Sequence, residues 1–489
     1  MIEIKKRDEL FIAILCSRDI QSEIRDAFSF FVPGYKHMPK YKNGMWDGQI
    51  RLYDIKANKF PLGLLADLVR FFRDNEHEFT VDRSLRLQGF DEPLSEFIET
   101  VIPDLELEPY DYQLDTFVKC VRLNRALVLS PTASGKSFII YLLIRFLLEN
   151  TEGKILISVP STNLVRQMHT DFCEYENNRF ICDQCYEMAA GQPKTTSRRI
   201  VIATWSMLLR QPPEWFQPFG TFICDEAHQA DSMALNKIIA NLRHVPYRFG
   251  FTGTLDGSKT HELQCRAWFG SLIKSSSTKE LMDRGILSTL EVQNVSLEYH
   301  PDEKQAVSKM SYQEEIKFLV NHSRRNEWIV DLALSQPKNT LVLFNLVEKH
   351  GDKLFELAKK KAAAAGKKVY MIVGEVKVDQ REAVRQSMER ENNVVLFASF
   401  GTLSVGVNIK NLHTIIFAHP YKAKIRTLQS IGRTLRKLSG KEIATLIDIM
   451  DNLCYNRYMN FAYRHAVERM KIYESEEFNS SFYTHHLGS

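Results

Sequence analysis

Short apolar runs alternate with segments of helical spacing through two long parts of the chain, residues 110–270 and 312–418. The runs are rich in β-branched and aliphatic residues, which is typical of strands buried on both faces. Strands that alternate with helices form parallel sheets, whose functional residues lie at the carboxyl ends of the strands. The pattern therefore predicts an α/β protein with two parallel sheets in tandem. The predicted strands are residues 126–129, 154–159, 199–203, 221–224, 247–251, 339–344, 369–373, 394–398 and 413–418.

Residues 1–90 follow a separate pattern. An apolar run at residues 12–15 and an alternating run at 49–53 predict strands, while residues 20–31 and 62–72 have helical periodicity. This mixture predicts a small α+β domain ahead of the first parallel sheet.

Acidic residues and prolines are concentrated between residues 91 and 108, which is typical of a connector between domains. At 489 residues the chain is too long for one hydrophobic core. We expect a small α+β domain at residues 1–90, an acidic linker at 91–108, a first sheet domain at 109–274, and a second at 275–489 that includes a C-terminal helix.

The composition limits the class of protein. Hydrophobic residues make up 44% and charged residues 25% of the chain, as in soluble globular proteins. The net charge of +4 is only mildly basic, so an anionic partner must be bound by local patches. No apolar run reaches the ~18 residues of a membrane span, and the run at 11–16 is too short for a signal peptide. We expect a cytoplasmic protein without a membrane partner, and we favour a monomer.

Eight scattered cysteines predict reduced thiols in a chain of this size. One group, His169, Cys173, Cys182 and Cys185, contains enough ligands for a zinc ion. Only one C-x-x-C pair occurs in it, and the spacing matches no common zinc finger. We therefore expect ordinary thiols here and no metal site.

The segment Ser130-Pro-Thr-Ala-Ser-Gly-Lys-Ser137 lies between a predicted strand and a predicted helix, as a phosphate-binding loop does. Its backbone N–H groups would converge on phosphate oxygens, Lys136 would contact the β- and γ-phosphates, and Ser137 would ligate Mg²⁺. Ser130 stands in place of the first glycine of the usual motif. The upstream amide of Gln113 can both donate to and accept from an adenine edge. The candidate nucleotide-binding residues are Gln113, Thr132, Ala133, Ser134, Gly135, Lys136 and Ser137.

Asp225 and Glu226 directly follow an apolar run. At the carboxyl end of a strand, Asp225 would hold Mg²⁺, and Glu226 would orient and deprotonate the attacking water. The alternative is a solvated acidic turn, which the buried strand in front of the pair disfavours. The pair and the phosphate loop together predict hydrolysis of ATP with Mg²⁺.

These segments occur in the order of the superfamily-2 helicase motifs, which the chain resembles. The series is Gln113, S-P-T-A-S-G-K-S, V-P-S-T-N-L-V-R-Q, D-E-A-H and T-G-T. The resemblance implies two RecA-like domains, in which His228, Thr252 and Thr254 couple the ATP site to a nucleic-acid strand. The residues that would lie against that strand in the first domain are Pro160, Thr162, Arg166, Gln167 and Thr204.

Residues 402–410 resemble helicase motif V. The resemblance implies that Thr402 contacts the nucleic acid and that Gly406 and Asn408 contact the nucleotide. Many family members have Asp where this chain has Asn408. An amide can still form a hydrogen bond to a ribose hydroxyl.

Residues 429–436 match motif VI, Q-x-x-G-R-x-x-R, without a departure. Gln429, Arg433 and Arg436 are assigned to catalysis by this match. The two arginines are spaced to lie on one helical face. One would contact the γ-phosphate and the other would act as the arginine finger; the sequence leaves open which does which. A solvated basic helix is the alternative.

Residues 34–59 contain six Lys or Arg residues and only two acidic residues, and aromatic residues are interleaved with the basic ones. Basic groups that follow phosphates beside rings that stack on bases form a nucleic-acid surface. The alternative is a hairpin with core aromatics and solvated lysines. The candidate contacts are Lys40, Lys42, Trp46 and Arg51.

The chain is most similar to bacteriophage UvsW-type DNA helicases, through residues 42–53 and 399–412 as well as the motifs. The resemblance implies an ATP-dependent motor that remodels branched DNA in recombination, repair and replication restart, in the host cytoplasm if the chain is phage-encoded. Its implied partners are single-stranded, duplex and branched DNA, with RNA–DNA hybrids in R-loops. Two alternatives remain: an RNA-unwinding or RNA-clamping ATPase, and a nucleic-acid-binding module without ATP turnover.

Overall fold

The computed structural model describes residues 1–85, 90–176, 180–189, 193–229, 232–374, 378–403, 409, 411–420, 431–432, 435 and 441–488. The chain divides into two compact units. The first unit comprises residues 1–130 and 135–276, and the second comprises residues 131–134 and 277–489. In the described part of the chain, no helix combines the length and the apolar character that crossing a membrane requires.

The first unit begins with a small α+β domain. Its elements are β1 (Ile2–Lys6), β2 (Phe11–Leu15), α1 (Arg18–Ala27), β3 (Ser29–Phe31), α2 (Pro39–Lys42), β4 (Gln49–Arg51), β5 (Phe60–Pro61), α3 (Leu65–Asp74) and β6 (Phe79–Val81). Strands β5-β2-β1-β6 form one sheet, and β3 pairs with β4 in an antiparallel hairpin. Alternate residues such as Ile12 and Ile14 are buried with Ile24 of α1 and Phe72 of α3, which explains the apolar alternation along β2.

A helical segment joins this domain to the first parallel sheet. Residues Asp91–Glu96 form α4, Phe97–Val101 continue it as a wider π-helical turn, and Ile102–Asp104 form a tighter 3-10 turn. The carboxylates of this segment face solvent, while Leu94 and Phe97 are buried in the core of the first sheet domain.

The first sheet has seven parallel strands in the order β13-β7-β12-β11-β8-β10-β9. Helix α6 is apolar on nearly every face because its side chains are buried all round, from Phe138 to Leu148. The elements are α5 (Asp111–Leu123), β7 (Arg125–Leu129), α6 (Lys136–Asn150), β8 (Lys154–Val159), α7 (Thr162–Glu174), α8 (Phe180–Gln184), β9 (Cys185–Met188), β10 (Ile200–Thr204), α9 (Trp205–Leu208), β11 (Phe219–Asp225), α10 (Met233–Ala240), β12 (Tyr247–Thr252), α11 (Lys259–Phe269) and β13 (Ser271–Lys274).

The register of this sheet brings the motif residues to one edge. Strands β7 and β12 end level at Leu129 and Thr252, and β8 and β10 end level at Val159 and Thr204. Strand β11 ends at Asp225. Because all these strands run in the same direction, the segments that follow them share the carboxyl edge of the sheet.

The second unit is built on a further seven-stranded parallel sheet in the order β16-β17-β15-β18-β19-β14-β20. Its elements are α12 (Thr278–Asp283), β14 (Thr289–Glu298), α13 (Pro301–Val307), α14 (Tyr312–Asn321), α15 (Ser323–Ser335), β15 (Thr340–Phe344), α16 (Asp352–Ala362), β16 (Lys368–Ile372), α17 (Val378–Arg390), β17 (Val394–Ser399), α18 (Phe400–Leu403), β18 (Thr414–Phe417), β19 (Ile443–Asn452), α19 (Phe461–Ser475) and β20 (Asn479–His486).

Two buried carboxylates on β19 tie helices to this sheet. Asp448 accepts hydrogen bonds from Arg469 of α19, with 2.6 Å between Arg469 Nη2 and Asp448 Oδ1, and from the Tyr473 hydroxyl at 2.8 Å. Asp451 accepts from Nε of Arg325 on α15 at 2.6 Å. Paired in this way, the charges can remain in an apolar core that would exclude them singly.

The small domain is fixed to the first sheet domain within the first unit. Oε2 of Glu9 lies 2.9 Å from Nη2 of Arg125, and both side chains are about 15% exposed. Asp67 pairs with Arg266 in the same interface. A Cβ at Gly63 would lie 2.2 Å from the Arg266 carbonyl oxygen, so the two backbones meet closely. We call this set, Glu9, Gly63, Asp67, Arg125 and Arg266, the docking interface.

Candidate nucleotide site and nucleic-acid surface

The loop between β7 and α6 has the backbone of an anion-binding site. Ala133 and Gly135 have φ values of +68° and +80°, and α6 begins directly afterwards at Lys136. The Ser134 hydroxyl donates to the Pro131 carbonyl at 2.7 Å and tightens the turn. Left-handed residues in front of a helix N-terminus turn successive N–H groups toward one point, where an anion is stabilised. Ser130, the departure from the usual motif, is buried and its N–H donates to Thr252 O at 2.9 Å.

Gln113 lies against this loop, as its candidate role requires. Its side chain is buried, and its Oε1 accepts from the N–H of Tyr110 at 3.0 Å, which closes a capping box on α5. A Cβ at Gly135 would lie 2.3 Å from Gln113 Nε2. The contact explains why the loop has glycine at this position, in addition to its positive φ.

The acidic pair lies at the end of β11. Burial raises the pKa of Asp225 to about 6, while the nearby Lys136 ammonium acts in the opposite direction. Glu226 has a φ of +56°, an uncommon conformation for a side chain of its size, and its N–H donates to Asp225 Oδ1 at 3.0 Å. A residue keeps a strained backbone conformation only where its surroundings impose it, and such residues are concentrated at functional sites. The solvated acidic turn is therefore the weaker interpretation.

His228 connects the acidic pair to the T-G-T segment. Its Nδ1 lies 3.1 Å from Oε2 of Glu226 and 3.1 Å from Oγ1 of Thr252. The Thr252 hydroxyl donates in turn to the Thr254 carbonyl at 2.9 Å. No sequence motif marks His261, whose ring Nε2 lies 2.5 Å from the His228 carbonyl oxygen. The structure brings together the three residues that were expected to couple the sites.

The residues of the first domain that are predicted to contact a nucleic-acid strand differ in their exposure to solvent. Thr162 and Arg166 are exposed on the first turns of α7, next to the half-buried Pro160 and Gln167. Thr204 is buried, and its hydroxyl caps α9 by accepting from Met207 N at 3.4 Å. Thr204 therefore acts first as a helix cap in this structure.

The basic and aromatic residues of the small domain form a protrusion, residues 29–51. Phe31 is 52% exposed and stacks on Tyr35 at 4.8 Å between ring centroids. Lys40 and Lys42 are exposed. The Trp46 indole is half-buried and donates to the Gln49 carbonyl at 2.8 Å.

Arg51 in the protrusion and Tyr53 just after it differ from the expectation. Arg51 is exposed but pairs with Asp47 at 3.3 Å between Nη1 and Oδ1, so a phosphate must compete with a carboxylate for it. Tyr53, one of the aromatic residues interleaved with the basic residues between positions 34 and 59, is a core residue whose hydroxyl lies 3.0 Å from Asn58 Oδ1. For Tyr53 the hairpin-core interpretation is the correct one.

The motif V and VI candidates Gly406, Asn408, Gln429, Arg433 and Arg436 lie outside the described residues. Thr402 is in α18, but its side chain is not described. Their assigned roles remain predictions from the sequence.

The expectation of reduced thiols is wrong for two cysteines. Cys173 at the end of α7 and Cys182 of α8 form a disulfide. His169 lies beside them, within 4.8 Å by its ring nitrogen, and Cys185 is separately buried on β9. The sulfurs are close because α7 and α8 pack against each other, which the sequence spacing alone does not reveal.

Three family descriptions match the chain in succession. Residues 1–82 match the N-terminal domain of DNA helicase UvsW, 104–257 the res subunit of type III restriction enzymes, and 324–437 the helicase conserved C-terminal domain. The ATP-dependent DNA helicase uvsW of Enterobacteria phage T4 is 33% identical over 98% of this chain and 98% of its own length. The chain belongs to the UvsW family of DNA helicases.

This UvsW-family protein is an ATP-dependent DNA helicase of superfamily 2, in which a small α+β domain precedes two RecA-like domains along the chain, which confirms the predicted fold class. The crystal structure of T4 UvsW covers 100% of both chains at 31% identity and a TM-score of 0.52. The DNA 3′-5′ translocase XPB2 of Sulfurisphaera tokodaii is 22% identical over 83% of this chain and 92% of its own. The DNA-bound restriction-modification enzyme LlaBIII shares the fold, with a TM-score of 0.58 at 15% identity over 78% of this chain and 32% of its own.

Proposed function

We propose that this UvsW-family helicase remodels branched DNA, namely forks, four-way junctions and R-loops, and that the protrusion of its small domain directs it to the branch. The observation that carries the proposal is an exposed aromatic and basic surface on a domain fixed to the motor. Since the T4 relative is a phage protein, we place the activity in the cytoplasm of a bacterial host.

The loop and the acidic pair fit ATP with Mg²⁺. Left-handed backbone at Ala133 and Gly135 supplies the anion cradle, and the Asp225 carboxylate lies within the field of Lys136. We assign phosphate binding to Lys136, and the hard oxygen ligands of Mg²⁺ to Ser137 and Asp225. Bound Mg²⁺ would neutralise charge on the phosphate oxygens.

Glu226 is assigned to orient the attacking water and accept its proton. The Glu226–His228–Thr252 chain supports a route by which nucleotide state reaches the segment after β12. Gln113 is assigned to the adenine edge, and the motif VI arginines Arg433 and Arg436 to the γ-phosphate. Lys136→Ala should abolish ATP turnover and leave DNA binding intact; unchanged turnover would contradict the loop assignment.

The protrusion supports contact with a DNA branch for two reasons. The exposed Phe31 ring offers a stacking face that tolerates any base, and the exposed lysines offer phosphate contacts. Its hairpin also sits on α11 of the motor domain, with Lys259 Nζ 5.6 Å from the Phe30 ring centroid. A branch bound there would be held at a fixed distance from the motor edge of the same unit.

A charge-reducing variant tests the protrusion. Replacing Lys36, Lys40 and Lys42 together by alanine should weaken binding to forked DNA. It should also make the negative slope of log affinity against log salt less steep by about 2–3, because each lost phosphate contact contributes about 0.9 to its magnitude. The matched control changes three exposed lysines of the second unit, Lys317, Lys349 and Lys360, to alanine. If both variants change the slope equally, the protrusion is not the branch-binding surface.

The substrate class is tested by steady-state ATPase with matched single-stranded DNA, linear duplex, forked DNA and RNA at one salt concentration. The proposal predicts the greatest stimulation by forked DNA, and loss of that preference in the protrusion variant. Greatest stimulation by RNA would overturn the substrate while leaving the motor assignment.

A further inference from the structure

A tyrosine that belongs to none of the helicase motifs contacts the serine assigned to Mg²⁺. The hydroxyl oxygens of Ser137 and Tyr175 are 2.7 Å apart. Tyr175 follows α7 as its C-terminal cap, and Ser137 lies in the first turn of α6. The contact joins the nucleotide loop to a segment that the sequence does not connect with ATP.

The Tyr175 ring is held in place by α6. It packs edge-on against Phe138, with 4.9 Å between ring centroids, and against Tyr141 at 5.6 Å. Both neighbours are buried. The hydroxyl is therefore positioned by the ring packing and does not depend on its hydrogen bond to Ser137.

The segment behind Tyr175 is also fixed. The buried Glu176 carboxylate accepts from the N–H groups of Ile181 at 3.0 Å and Cys182 at 2.7 Å, and from the Tyr141 hydroxyl at 3.3 Å. The disulfide ties Cys182 back to Cys173 at the end of α7. Tyr175 thus stands between two anchored points, which limits its movement relative to α6.

We propose that Tyr175 is a positioning residue for the Mg²⁺ site, a role that rests on the proposed assignment of Ser137 as a ligand. A serine hydroxyl can bind a cation only through its oxygen lone pairs, so its proton must point elsewhere. The Tyr175 oxygen accepts that proton and fixes the Ser137 rotamer. A bond donated by a cation-bound hydroxyl is strengthened by the charge, and residues that orient metal ligands in this way typically change metal affinity 10- to 100-fold when removed.

The test is Tyr175→Phe, which removes the hydroxyl and keeps the ring packing. Binding of Mn²⁺ as a spectroscopic substitute, measured by electron paramagnetic resonance with ADP present, should weaken about tenfold, at the lower end of that range. Binding of a fluorescent ADP analogue in EDTA should be unchanged. The matched control is Tyr186→Phe, since the Tyr186 hydroxyl bonds the Pro193 carbonyl on the same domain.

Two results would overturn the proposal: Mn²⁺ affinity within twofold of the unmodified protein, or an equal loss of ADP binding in EDTA, which would indicate a packing role. Ser137→Ala tests the ligand role of Ser137 separately from the positioning role of Tyr175. If it leaves Mn²⁺ binding unchanged, the ligand role of Ser137 fails and the role of Tyr175 with it. If it abolishes Mn²⁺ binding while Tyr175→Phe has no effect, only the Tyr175 proposal fails.

Discussion

Glu9→Gln should loosen the small domain from the motor domain. In the docking interface the Glu9 carboxylate pairs with Arg125 and also with Lys6, and its charge acts on the buried Arg248. Burial lowers the pKa of Arg125, and burial and the Arg125 charge lower that of Arg248 to about 9, while Glu9 raises both. Glutamine preserves the shape of the side chain and removes the only negative charge that Arg125 is seen to contact among the described residues.

The magnitude follows from the burial. Removing one partner of a buried ion pair costs about 3–5 kcal/mol, and because Glu9 and Arg125 remain about 15% exposed we expect about 3 kcal/mol. The control is Glu3→Gln, since Glu3 pairs with Lys5 where the side chains are 44% and 54% exposed and such a pair contributes under about 1 kcal/mol.

Urea unfolding of the full chain measures the loss of stability, and hydrogen exchange locates it. A cost of about 3 kcal/mol corresponds to roughly hundredfold faster exchange for amides protected by docking, in β1 and β2. The reasoning is refuted if Glu9→Gln costs no more than Glu3→Gln, or if faster exchange appears only in the second unit.

Three further predictions concern the loop and the second unit. Gly135→Ala should weaken ATP-analogue binding more than it destabilises the fold, because its Cβ would strike the Gln113 amide. The control is Gly366→Ala, since Gly366 also has a positive φ (+63°) but has open space around it, so its loss of stability measures the backbone cost alone, about 1–2 kcal/mol. If the two variants lose the same stability and Gly135→Ala binds nucleotide normally, the contact between residue 135 and Gln113 does not matter. Asp448→Asn should cost about 3–5 kcal/mol in urea unfolding because it removes the carboxylate that neutralises the buried Arg469 guanidinium. Asp331→Asn, in an exposed pair, should cost under about 1 kcal/mol. Burial lowers the pKa of His419 to about 4, so the unfolded chain binds the proton first and stability falls as pH drops from 6.5 toward 4. Between pH 7.5 and 5 the loss is about 2 kcal/mol, and His419→Gln should remove that share of the pH dependence in thermal unfolding; an unaltered slope would contradict it.

Much of the architecture follows from local pattern. Apolar runs gave the central strands because a strand covered on both faces has to be apolar along its whole length. The strand ends then placed Lys136, Asp225 and Thr252 at one edge. Their location at a common edge could be expected because parallel strands have a fixed direction and similar lengths.

Other features depend on contacts between distant parts of the chain. Glu9 looks like any surface acid in the sequence, and only the packing of the small domain shows that it meets Arg125. Thr204 matches a motif for contact with a nucleic-acid strand, yet its hydroxyl is used in a local hydrogen bond that caps a helix. Tyr175 is one aromatic residue among many, and its position beside Ser137 arises from the packing of α7 on α6.

The pairing of β14 has a consequence for how the protein emerges from the ribosome. This strand bonds only to β19 and β20 among the described strands, and Glu298 and its partner Asn452 are 154 residues apart. At 5–20 residues per second, β14 waits on the order of ten seconds for its first partner. The first unit can fold during that interval, whereas both edges of β14 stay open to wrong partners. Synthesis speed and chaperone supply should therefore limit the yield of the second unit more than that of the first.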